Sequence, residues 1–83
     1  MTRQDFFLGG YHNVHCRFSL ANGQEASGVV SSYYFDEPER LDLVKSADLI
    51  EFKKVMDAQD YDSMKRLSRP IELDTVIKAE RLN

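Results

Sequence analysis

"FSLANGQEASGVV", Phe18 to Val30, is the stretch on which the fold turns. Asn22-Gly23 is a strong hairpin signal, because both residues tolerate positive φ. The run before it alternates. Val14, Cys16, Phe18 and Leu20 fall on one face, and His15, Arg17 and Ser19 on the other. That period of two marks a half-buried strand. The run after it, "EASGVVSSYYF" from Glu25 to Phe35, is rich in β-branched and aromatic residues and predicts a second strand. Gly28 inside it predicts a bulge or a sharp bend.

Working outward, "TRQDFFL" (residues 2–8) reads as a short helix or an extended lead-in, with Thr2 and Asp5 approximating a capping box. Gly9 and Gly10 end it. On the other side, "DEPER" (Asp36–Arg40) is a turn and "LDLVK" (Leu41–Lys45) a third strand. Ser46 is placed to cap a helix, on which Leu49, Phe52, Val55 and Met56 share one face. Asp60 or Asp62 is placed to cap a new helical turn carrying Met64 and Leu67, so two short helices or one kinked helix are expected, and Pro70 ends that segment. "IELDTVIKAERL" (Ile71–Leu82) alternates again and predicts a final strand. Strands with helices segregated from them define the α+β class. The expected architecture is a strongly bent antiparallel sheet of four or five strands, possibly closing into a small barrel, with a helical segment between the third and last strands. At 83 residues the chain is expected to form a single small domain over residues 1–83.

Composition narrows the function classes. Hydrophobic residues are 42% and charged residues 30% of the chain, which is globular rather than disordered. A net charge of −3 argues against general affinity for nucleic acid or acidic membranes. The charge is uneven: residues 36–62 hold nine acids against four bases, and residues 63–83 five bases against three acids. The single cysteine, Cys16, allows no internal disulfide, and no apolar run approaches the roughly 20 residues that span a bilayer. A cytoplasmic protein without membrane association is expected.

Leu20, Gly23, Gly28 and Val30, with the four residues "QEAS" between the two glycines, resemble the first motif of Sm-like proteins. In that family a glycine turn joins two antiparallel strands, and a second glycine bends the next strand so that the sheet closes into a small barrel. A short N-terminal helix fits the same pattern. The resemblance covers about residues 14–35 and implies a small barrel that binds single-stranded RNA. It departs from the family in the loop that would hold a base. Tyr34 stands six residues after Gly28, "DEPER" contains no Asn, and the second motif is absent.

Few residues point to chemistry. His12, His15 and Cys16 carry metal-ligating atoms, but a strand sends His15 and Cys16 to opposite faces, and Cys16 shares its face with Val14 and Phe18. A buried small hydrophobe is the reading for Cys16, and neither a metal nor a cofactor is expected. No nucleophile elbow or phosphate loop is present, so no enzyme is expected. Asp57, Asp60 and Asp62 lack the glycine and terminal Glu of a calcium loop. Tyr33 and Tyr34 point to opposite faces of a strand, which leaves one on the outer face to stack on a base or anchor a protein. Arg17, Lys65, Arg66 and Arg69 are the basic residues placed to join it, the last three on one helix. The expected function is a small non-catalytic interaction module, acting by self-association or protein docking, with a homo-oligomer or protein partner. Single-stranded RNA binding is the alternative.

Overall fold

The computed structural model describes residues 1–82. Helix α1 (Arg3–Leu8) leads into strands β1 (His15–Leu20), β2 (Glu25–Ser31) and β3 (Asp42–Lys45). A single 3-10 turn (Ser46–Asp48) opens helix α2 (Leu49–Asp57), followed by α3 (Tyr61–Leu67) and β4 (Ser68–Pro70). A second 3-10 turn (Leu73–Thr75) leads to β5 (Val76–Arg81). All strand pairs are antiparallel, in the order β4-β3-β2-β1-β5. The protein is therefore α+β with a five-stranded antiparallel sheet and its helical segment after the third strand, as the sequence predicts. The sheet is not closed. β4 and β5 are its two edges and do not pair with each other among the described residues, so the expected barrel is corrected to an open sheet.

The hairpin loop is one residue longer than the Asn22-Gly23 turn the sequence suggests. Only Gly23 takes a positive φ, at 83°, and Asn22 does not. Leu20 N donates to Gln24 O at 2.9 Å and Gly23 N to Leu20 O at 3.0 Å. This is a three-residue loop with glycine at the left-handed position, and Asn22 Oδ1 accepts from Gln24 N at 2.9 Å. β2 runs unbroken through Gly28. It pairs with β1 over Glu25–Val29 and with β3 over Gly28–Ser31, so it passes from one neighbour to the other around the glycine. The irregularity lies instead in β5, where the register shifts opposite Ser19 and Leu20.

Two apolar clusters hold the sheet. On one face of the sheet, Phe6, Cys16, Phe18, Val30, Leu41, Leu43, Val76 and Ala79 pack together. Phe6 is brought there by α1, whose first turn is capped as predicted, with Asp5 N donating to Thr2 Oγ1 at 3.0 Å. The Met1 ammonium donates to Leu73 O and Val76 O, at 3.0 and 2.7 Å, tying α1 to the start of β5. On the other face, Tyr34, Val44, Phe52 and Met64 form the second cluster, with Tyr33, Leu49, Val55 and Leu67 against it. β3 is thus covered on both sides. The predicted helical face is correct in Leu49, Phe52 and Val55, but Met56 is exposed.

The helices break at Gln59, which takes a φ of 55°. Asp60 caps α3 as predicted, its carboxylate accepting from Ser63 N at 3.2 Å and from Ser63 Oγ at 2.6 Å. Those bonds hold the Asp60 carboxyl below the usual carboxylate range. Ser46 does not cap a helix. Its Oγ is bonded to His15 Nε2 instead. The predicted final strand, Ile71–Leu82, is shorter than expected. Its beginning is a connection, and Ser68–Pro70 adds a strand of its own.

Candidate interaction surface

The two sheet edges differ in what they offer. Leu82 N donates to His15 O at 2.8 Å, which makes residues 15 and 82 a hydrogen-bonded pair. Bonded and non-bonded pairs alternate along an antiparallel ladder. In the register Arg17↔Glu80 and Ser19↔Lys78, the backbone groups of Lys78 and Glu80 therefore face β1. Those of Ala79 and Arg81 face away from the sheet. The same reasoning applied to β4 starts from Ile71 N, which donates to Leu41 O at 3.0 Å, so Arg69 faces β3. Ser68 and Pro70 face outward there, and proline has no N–H to give. β4 is three residues long and poor in donors, whereas β5 is six residues long. β5 is the edge a second strand can use.

The side chains of β5 alternate around that edge. Ala79 is buried in the first cluster, and Lys78 and Glu80 are exposed on the outer face. Arg17 Nη2 donates to Glu80 Oε2 at 2.9 Å, and this bond holds the Glu80 carboxyl below its usual range. Ile77, in the register shift, is 68% exposed.

The residues singled out in the sequence do not converge on one site. Neither Tyr33 nor Tyr34 stands free on an outer face, because β2 ends at Ser31 and the chain turns inward before reaching them. Tyr34 is 4% exposed. Its hydroxyl lies 2.6 Å from Ser68 Oγ, which itself donates to Met64 O at 2.8 Å, so Tyr34 is the donor of that pair. Tyr33 is half-buried, packs edge-on against Phe52 with ring centroids 4.7 Å apart, and donates to Val29 O at 3.0 Å. The exposed aromatic residue of that segment is Phe35, at 96%. Arg17 is paired with Glu80, and Arg66 donates to Ser63 Oγ at 2.8 Å. Arg69 lies on β4 rather than on the helix with Lys65 and Arg66. Lys65 lines a hollow with Tyr34, Phe35, Asp36 and Tyr61.

The three metal-ligating residues also diverge. Cys16 is buried in the first cluster, and burial pushes its thiol pKa up. His15 is bonded to Ser46 on the other face, and the His12 ring lies 5.0 Å from that of Phe7. Among the described residues no group of three or more His, Cys, Asp or Glu side chains is arranged to hold a metal ion. No helix among them is long and apolar enough to cross a membrane.

The surroundings of Tyr33 give a pH prediction. Burial first, then the nearby Asp42 and Tyr34, push its phenol from 10.0 up to about 12. The folded state favours the neutral phenol. That contribution to stability is complete below pH 10 and is lost as pH rises from there through about 12. An absorbance titration is expected to show a late step near the top of that window that belongs to Tyr33. Tyr33→Phe should remove it, and a wild-type titration finished by pH 11 would contradict the assignment.

No family model, curated protein or solved structure matches the chain. The class of protein stands on the geometry alone: a small α+β fold whose open sheet ends in one short, donor-poor edge, β4, and one longer edge, β5, which the Met1 ammonium binds only at its start, at Val76 O, among the described residues.

Proposed function

We propose that the protein is a small non-catalytic interaction module of the cytoplasm that works by self-association, pairing a second strand against the open edge of its sheet. The observation that carries this reading is the outward-facing backbone of β5 at Ala79 and Arg81. A row of unpaired N–H and C=O groups is a template for another strand. The non-catalytic part of the reading is supported by how the reactive side chains are employed. Cys16 is sealed in a core, His15 is bonded to Ser46, and His12 packs against Phe7.

Amide hydrogen exchange, followed residue by residue by NMR at low and high protein concentration, tests it. The Ala79 and Arg81 amides are expected to exchange quickly in dilute protein and to gain protection as concentration rises. The Lys78 and Glu80 amides, bonded to β1, should be protected throughout. Fast exchange at Ala79 and Arg81 at every concentration would refute edge pairing.

A further inference from the structure

We infer that two copies of the chain pair antiparallel along β5 about a two-fold axis through Ala79, with Lys78 opposite the partner subunit's Glu80. This rests on the reading of β5 as the self-associating edge and specifies the partner and its register. A two-fold interface uses the same surface on both subunits, so the strand must complement itself. Outward-facing residues must meet outward-facing residues, which limits the register to a few choices. Setting Ala79 opposite the partner's Arg81 brings Glu80 against the partner's Glu80. Setting Ala79 opposite the partner's Ile77 brings Lys78 against the partner's Lys78. Like charges directly opposite destabilise a sheet, and opposite charges stabilise it. Only the register centred on Ala79 pairs Lys78 and Glu80 with their opposites, twice by symmetry.

Other features agree with that centre. The residue meeting its own copy on the buried face is alanine, which two backbones can share without a clash. Arg17 already grips Glu80 at 2.9 Å, so the pairing extends an alternating row across the outer face from Arg17 through Glu80 to the partner's Lys78. Ile77, 68% exposed in one chain, comes beside the partner's Arg81 in this register.

Cysteine cross-linking reads the register directly. Lys78→Cys and Glu80→Cys proteins are prepared separately, and each is oxidised alone and as an equal mixture. Both positions are exposed, and circular dichroism checks that each variant is folded. The mixture is expected to give about tenfold more disulfide-linked dimer than either protein alone, because only opposed positions bring Cβ atoms within disulfide reach. Cross-linking of Lys78→Cys alone, or of Glu80→Cys alone, overturns the Ala79 register. Light scattering on the wild-type chain separates the remaining outcomes. A dimer with no cross-link in any mixture refutes this interface while leaving self-association standing. A larger ring-sized assembly refutes the two-fold in favour of head-to-tail pairing of unlike edges. A monomer at every concentration refutes both the interface and the function proposed above.

Discussion

Gly28→Ala is expected to cost the protein at least about 3 kcal/mol, at the severe end of the range for forcing extra atoms into a packed site. A Cβ at this position would stand 2.0 Å from the carbonyl oxygen of Val44 and 2.8 Å from its carbonyl carbon. Those are backbone atoms of the neighbouring strand, so no side-chain rotation relieves the overlap. β2 and β3 must separate where β2 passes from one partner to the other. A chain of this length is stable by roughly 4–12 kcal/mol, so the loss is a large fraction of the total. Gly23→Ala provides the contrast. Its φ of 83° strains any other residue, but nothing lies within 4 Å of the added carbon, and the expected cost is about 1–2 kcal/mol. Urea denaturation of both variants measures the difference. A Gly28→Ala protein within about 1 kcal/mol of wild type would contradict the close approach of β2 and β3 at this position.

Arg40→Met is expected to be the most damaging change outside the core, at about 3 kcal/mol. Asp42 sits on β3, between Ser31 of β2 and Pro70 of the edge strand β4, and is 0% exposed. Arg40 grips it with two hydrogen bonds, Nε to Oδ1 at 2.7 Å and Nη2 to Oδ2 at 2.9 Å. The same guanidinium donates to Glu37 at 2.9 Å and lies 4.9 Å from the centre of the Tyr34 ring. Removing it leaves a buried carboxylate without its cation. Arg40 itself is about a quarter exposed, so water reaches part of the gap, and this places the cost at the lower end for breaking a buried pair. The double variant Arg40→Met/Asp42→Leu removes both charges and is expected to recover at least half of the loss. Additive losses in the double variant would show that the pair does not act as a unit.

Much of the frame was legible because it rests on local chemistry. The hairpin at Asn22-Gly23, the Thr2 cap, the Asp60 cap and the break between two helices each follow from a few neighbouring residues. The strand alternation at Cys16 and Phe18 is equally local. What was missed depends on distant contacts. Tyr33 and Tyr34 sit in a sequence that reads as strand, yet α2 and α3 supply Phe52 and Met64 as packing partners and draw the chain off the sheet. Phe35 is left outside as a result. β4 is three residues long and carries a proline, too little for a periodic signal, so the sequence reads it as the end of the helical segment. Arg69 was assigned to a helix for the same reason. One signal was available: Asp42 interrupts the apolar run "LDLV", and an acid there requires a cation in reach, which Arg40 provides two residues earlier.

Of the proposed interaction surface, the sequence displays the charges but not the edge. Lys78, Glu80 and Arg17 can be read directly, whereas the fact that β5 has β1 on one side and no second strand among the described residues follows from the strand order. The most direct test of that account is the solution mass of the wild-type chain across a range of concentrations, measured by light scattering beside a folded Ile77→Lys variant. The account predicts a wild-type mass rising toward twice the 9.6 kDa of one chain, while the variant, with a second cation placed against the partner's Arg81, stays monomeric at the same concentrations. A wild-type protein that remains at 9.6 kDa throughout, or a variant that dimerises as well as the wild type, would contradict it.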